Sequence, residues 1–194
     1  MGPVNEAVPD KAVWIRNIDC NHPGVTPASS DALCEAASVC LARHHVPPKE
    51  FTVTYEGQSD KLLFQWELPS QRAKDCHAYK HDATKDGAYA ISFLCLEYRL
   101  RLVAIAQAQA GSGADWYVAP IGCGLDASGA PNLDDPNVLR LEVSGTDVGH
   151  IGYRMRLKQQ QLLDANSSIP AIASVVGFQR AAVRIEHAVT QGVE

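Results

Sequence analysis

The chain has 194 residues, 46% of them hydrophobic and 20% charged, with 17 Lys+Arg against 22 Asp+Glu for a formal net charge of −5. Such values suit a globular protein with chain enough for a sizeable core, and they exclude a disordered or collagen-like molecule. They also argue against binding nucleic acid through bulk charge alone.

No apolar run approaches the length of about 18 residues that a membrane span needs. The N-terminus lacks the basic and then apolar pattern of a signal peptide, so no membrane partner and a cytoplasmic location are expected. After a polar start, residues 13–15 read as a short strand. Ser29, Ser30 and Asp31 offer N-caps for a helix of about four turns, and Pro47 and Pro48 stop it. Phe51, Val53 and Tyr55 alternate with polar residues, residues 57–60 turn, and Leu62, Phe64, Trp66 and Leu68 alternate again. That pattern predicts a β-hairpin.

Residues 69–80 are polar and basic. Asp82 or Thr84 can then cap a long apolar helix that runs to Arg101. Strands follow at 103–107, 115–118 and 138–143, the last two separated by a loop rich in Gly, Asp and Pro. Asp147 is the expected cap of a helix rich in Arg, Lys and Gln that reaches Ala165. Strands at 172–176 and 182–185 close the chain. From residue 82 the order is therefore α-β-β-β-α-β, with one further strand.

Charge is unevenly distributed along this order. Residues 1–68 hold five basic and nine acidic residues, whereas residues 69–101 and 140–187 each hold six basic and four acidic. Any contact with nucleic acid is thus expected to be local, assisted by a metal, or supplied through a more basic partner. The six cysteines are scattered with no C-x-x-C pair, which offers neither a zinc-site spacing nor a disulfide framework. They are expected to be reduced, most of them buried. Cys76, His77 and His81 do not supply four ligands at a zinc spacing, and His44 and His45 are read as residues favoured at a helix C-terminus. His150 has nothing to fix its place. No phosphate-binding glycine loop, dinucleotide fingerprint or G-x-S-x-G elbow occurs.

The acids are more informative. Asp115 opens one strand after the turn Gly111-Ser112-Gly113, and Glu142 lies inside the next, between Leu141 and Val143. Alternation puts Arg140, Glu142 and Ser144 on one face and Leu141 and Val143 on the other. Two carboxylates on adjacent strands offer the hard oxygen ligands that Mg²⁺ or Mn²⁺ prefers. Three plainer readings compete: Asp115 as a turn cap, Glu142 as an ion-pair partner of Arg140, and Arg154, Arg156 and Lys158 as a solvated helix face.

G-S-G-A-D-W-Y at 111–117, L-E-V-S-G at 141–145 and the basic helix that follows resemble the PD-(D/E)XK nuclease superfamily over residues 82–187. The resemblance implies an α/β fold with a restriction-endonuclease-like αβββαβ core at 81–194, preceded by an N-terminal α-β-β extension at 1–80 that docks a partner or extends the sheet. It implies that Asp115 and Glu142 bind Mg²⁺ or Mn²⁺, that Val143 lends its backbone carbonyl, and that Asp86, rather than Glu97, adds an acid from the long helix. Where the family carries Glu-x-Lys, this chain reads Glu142-Val143-Ser144. Ser144 cannot supply the missing charge. Lys158, ahead of Gln161, is the candidate for a lysine relocated to the helix. The implied activity is phosphodiester cleavage of nucleic acid, DNA first, in a bacterial-defence setting, by a homodimer or within a hetero-complex. The competing implication is a catalytically degenerate subunit that only binds.

Overall fold

Thr26 and Pro27 set where the first helix begins. The Thr26 hydroxyl accepts the Ser29 N–H at 3.2 Å and Pro27, which needs no amide partner, opens the first turn of α1 (Pro27–Ala42). The serines at 29 and 30 are therefore inside the helix rather than at its cap. The computed structural model describes residues 12–165 and 167–188. Among them are a short β1 (Ala12–Trp14), then α1, then the hairpin of β2 (Lys49–Tyr55) and β3 (Gln58–Gln65). The hairpin turns at Glu56 and Gly57, both at positive φ, as a two-residue turn matched to strand twist requires. This is earlier than the predicted turn.

The polar stretch forms a short helix, α2 (Gln71–Cys76), capped by Ser70. The long helix α3 (Lys80–Leu100) starts before both predicted caps, with Tyr79 at its N-cap. Then come β4 (Leu102–Gln107), β5 (Trp116–Pro120), β6 (Leu139–Thr146), α4 (Ile151–Asp164), β7 (Ala171–Gly177) and β8 (Ala182–His187). The α-β-β-β-α-β order holds, as does the added strand.

All eight strands join one mixed sheet in the order β1-β3-β2-β8-β7-β6-β5-β4. The hairpin enters it through the parallel pairing of β2 with β8, so the N-terminal segment prolongs the sheet. Helices α1 and α3 pack together on one face, and α4 covers β6, β7 and β8 on the other. The first face holds the larger core, with Phe51, Phe64, Trp66, Phe93, Leu141 and Phe178 fully buried. Met155 and Leu162 seal α4 onto Ala171, Ala173 and Val175. The central strand β7 is buried along its whole length, which explains its near-continuous apolar run.

The outer strand β4 is shielded by the segment after β1. The Ala104 N–H donates to His22 Nδ1 at 2.9 Å and the Ala104 carbonyl accepts the Gly24 N–H at 2.9 Å. Gly24 is needed there, because a Cβ would fall 2.4 Å from the Ile105 carbonyl carbon. Covering an edge in this way blocks pairing with another chain. The cysteines are all free: Cys34, Cys40 and Cys95 are buried, Cys20 and Cys76 exposed, and Cys123 half-buried. No helix among the described residues is long and apolar enough to cross a membrane.

Candidate active site

The side chains of β6 alternate as the sequence suggests. Leu141 and Val143 enter the core beneath α3, while Arg140, Glu142 and Ser144 face α4. Helix α4 runs back along β6, and its residues meet the strand in a regular ladder. Arg154 Nη1 donates to Ser144 Oγ at 3.3 Å, Lys158 Nζ to Glu142 Oε1 at 2.5 Å, and Arg140 Nη2 to the Leu162 carbonyl at 3.3 Å. The spacing has a simple cause. Two strand residues rise about 6.6 Å and four helix residues about 6 Å, so every second strand side chain meets every fourth helix residue.

Glu142 therefore pairs with Lys158 and not with Arg140, whose Nε donates instead to the Ile169 carbonyl at 3.0 Å. The Glu142 and Lys158 side chains are only 12% and 21% exposed. Lys158 is half-buried and so is not part of a solvated face, whereas Arg154 and Arg156 remain exposed.

Asp115 reaches the same place from β5. The register pairs Trp116 with Leu141, which sets Asp115 opposite Glu142, and its N–H donates to the Leu141 carbonyl at 2.9 Å. Beyond this point β5 diverges, and the Asp115 carboxylate takes over from the backbone: its Oδ2 accepts the Val143 N–H at 2.9 Å. A side chain standing in for the next ladder acceptor is held firmly at the end of the strand. The position is thus structural as well as chemically placed.

The electrostatics follow from this crowding. Burial, first, and the neighbouring Asp115 charge raise the Glu142 pKa; the hydrogen bond and charge of Lys158 pull against them without reversing the shift. Burial also pushes the Tyr89 phenol far up, with the Asp115 charge and a hydrogen bond to Asp115 adding to the rise. Two acids that repel across adjacent strands, offering oxygen alone, suit a hard divalent cation. Asp115 and Glu142 are the residues of this site that could hold one.

Asp115 and Lys158 border a cleft of about 520 Å³. Its wall carries Lys80, Lys85, Arg154 and Lys158 against Asp115 and Asp147, a local excess of cations in an acidic protein. Val143 and Ser144 line it too, and Glu142 lies just behind Lys158. Gly145 draws the α3 wall close, since a Cβ there would meet the Thr84 carbonyl oxygen at 2.3 Å. That approach delivers Lys80 and Lys85, which sequence reasoning had not assigned to the site. Polar residues ahead of an apolar helix were the one available signal.

Asp86 is not brought in. It lies beside the cleft-lining Lys85 but off the wall; burial raises its pKa, and the charges acting on it are Lys85, Asp82 and His77 rather than the site acids. Glu97 is further away, accepting from Asn21 Nδ2 at 2.7 Å. Asp147 is not the cap of α4. The helix begins at Ile151 with His150 at its N-cap, because the Asp147 carboxylate is drawn off by His44 at 2.6 Å, Lys80 at 3.5 Å and Arg43 at 3.9 Å. Burial opposes its ionisation, yet the His44 hydrogen bond and the surrounding cations hold its pKa below the usual value. His45 is likewise tied into the fold, 2.8 Å from the Phe178 carbonyl, and His150 lies 3.2 Å from Arg180.

Comparison with family models, curated proteins and solved structures finds no match to this chain.

Proposed function

We propose that this chain is a metal-dependent nuclease, built on a restriction-endonuclease-like α3-β4-β5-β6-α4-β7 core, that cleaves phosphodiester bonds of nucleic acid. The observation that carries the reading is the 2.5 Å pair between Lys158 and Glu142, set opposite Asp115. It supplies from the helix the amine that the strand lacks at Ser144. Asp115 and Glu142 would hold Mg²⁺ or Mn²⁺, with the Val143 carbonyl as a further oxygen. Bound there, such an ion supplies Lewis acidity toward a phosphoryl oxygen and lowers the pKa of water.

The chain's own residues do the rest. Lys158 holds a proton at Nζ and places positive charge where the phosphate gains negative charge. Arg154, steadied by Ser144, and Lys80 and Lys85 on the opposite wall orient the backbone of the bound strand. Their charge is local, so the net acidity of the protein does not oppose binding. DNA is the first substrate to test.

A second reading, a catalytically silent subunit of a larger complex, is favoured by Ser144 at the strand position where the family carries lysine. Calorimetric titration with Mn²⁺ separates the two. The nuclease reading expects saturable binding that Asp115→Asn and Glu142→Gln each weaken by at least about tenfold, since each removes one of the two charged ligands. Binding that is absent, or unchanged in both variants, would overturn the metal assignment. Because protons compete for Glu142, whose pKa is raised, affinity is expected to climb as pH increases from the ordinary Glu value of 4.5.

A further inference from the structure

Away from the cleft, α1 faces the junction between α2 and α3, and three metal-ligating side chains meet there. Glu35, Cys76 and His77 each offer a ligand atom, and these atoms all lie within 4.8 Å of one another. The His77 imidazole Nε2 is 3.2 Å from Glu35 Oε1. The backbone around the pair is fixed: the His77 N–H donates to the Ala73 carbonyl at 3.0 Å, and the His77 carbonyl accepts from Arg43 Nη2 at 3.0 Å. The His77 ring is only 15% exposed, while Glu35 is half exposed.

We propose that Glu35, Cys76 and His77 form a zinc site with three protein ligands and a fourth position taken by water. A histidine–carboxylate ion pair explains His77 and Glu35 but gives no reason for a sulfur beside them. The mixture of sulfur, imidazole and oxygen selects a borderline-soft ion over Mg²⁺ or Ca²⁺. Tetrahedral zinc with bonds of about 2.0–2.3 Å sets its ligands about 3.4–3.6 Å apart. The His77–Glu35 distance nearly matches, and the exposed Cys76 sulfur, within 4.8 Å of both, has only the remainder to close. On binding, the Cys76 S–H loses its proton to solvent and the sulfur joins the metal as thiolate.

The site clamps α1 to the segment that leads into Lys80, which lines the cleft. Its ligands were invisible to spacing rules because Glu35 lies 42 residues before His77. Cysteine and histidine in adjacent positions match no zinc motif by themselves.

The test uses the full chain, stripped with chelator and titrated with Co²⁺ as a spectroscopic stand-in for zinc. The expected result is a thiolate-to-cobalt charge-transfer band in the near ultraviolet that saturates with added Co²⁺ and is displaced by Zn²⁺. Cys76→Ser should abolish the band. Glu35→Gln and His77→Ala should each weaken binding by at least about tenfold, since each removes a direct ligand. Cys20→Ser, at the other exposed thiol, and Asp115→Asn in the cleft should leave the band intact. A band that survives Cys76→Ser, or the lack of any band in the wild-type chain, overturns the site. Thermal melting of each variant without metal confirms that the surface substitutions leave the fold in place. The charge-transfer band reports on sulfur, so its outcome is independent of metal binding at the carboxylates of the cleft.

Discussion

Replacing Lys158 with methionine is expected to slow metal-dependent phosphodiester cleavage by at least about 100-fold, the lower end of what a positioned acid–base group contributes. The substitution keeps a long unbranched side chain against β6, so helix packing survives while the charge is lost. Two effects then add. The developing negative charge on phosphate loses its nearest ammonium. Glu142, left behind with Asp115 in a poorly solvated place, holds its proton more tightly, because the hydrogen bond and charge of Lys158 are what lower its pKa. The acid limb of the pH–rate profile should therefore move to higher pH in the variant. A merely structural lysine would change the melting temperature without moving that limb. Cleavage within a few-fold of wild type, with an unmoved acid limb, would remove Lys158 from the mechanism.

Folding stability is expected to fall by up to about 3 kcal/mol between pH 6.5 and pH 4 through one residue, His22. Its ring is fully buried against Phe93, with centroids 5.2 Å apart, and burial lowers its pKa from 6.5 to about 4. The hydrogen bonds agree with this. Nδ1 accepts the Ala104 N–H, which can only donate, so the proton of the neutral ring sits on Nε2. Protonating Nδ1 would break that bond, and the Glu97 carboxylate 3.4 Å from Nε2 does not offset the burial.

The direction follows from proton binding. Below pH 6.5 the unfolded chain takes up a proton at His22 and the folded chain does not, so stability drops as pH falls. The drop from this group ends once pH passes the folded value near 4. For a chain of this size each kcal/mol corresponds to about 2–4 °C in melting temperature. His22→Gln retains an acceptor for the Ala104 N–H without the titration, and should flatten the slope. His22→Ala leaves that buried amide unpaired beside a void, and is expected to cost about 2–4 kcal/mol at neutral pH. Denaturant melts of wild type and both variants across this pH range provide the measurement. An unchanged slope in His22→Gln would show that other groups carry the acid sensitivity.

Much of this architecture was legible in the sequence because local signals coincide with tertiary ones. The alternation around Leu141, Glu142 and Val143 fixed the outward face of β6, and the i,i+4 spacing of Arg154 and Lys158 put them on one side of α4. Their meeting with Ser144 and Glu142 needs only that the helix run back along its own strand. Where local and long-range interactions competed, the reading failed. Asp147 has the chemistry of a helix cap, but His44, Arg43 and Lys80 lie close enough to claim it. Thr84 also has cap chemistry, yet it packs under Gly145. Thr26 followed by Pro27 was a readable start signal, obscured by the serines behind it. Asp86 illustrates a different limit: a helix residue near the site faces it only if its turn of helix does, and the neighbouring Lys85 holds that position instead. The pairing of His22 with the outer strand, and of Glu35 with Cys76 and His77, depends on contacts between distant segments that no local pattern encodes.

Asp115, Glu142 and Lys158 are proposed to form a metal-dependent phosphodiesterase centre. The most direct measurement is cleavage of plasmid DNA and of single-stranded DNA and RNA by the purified chain, with Mg²⁺, with Mn²⁺ and with chelator. Cutting of at least one substrate is expected, requiring a divalent ion and falling to background in both Asp115→Ala and Glu142→Ala. Cutting that persists in chelator or in both variants, or its absence from the wild-type chain on every substrate, would contradict it.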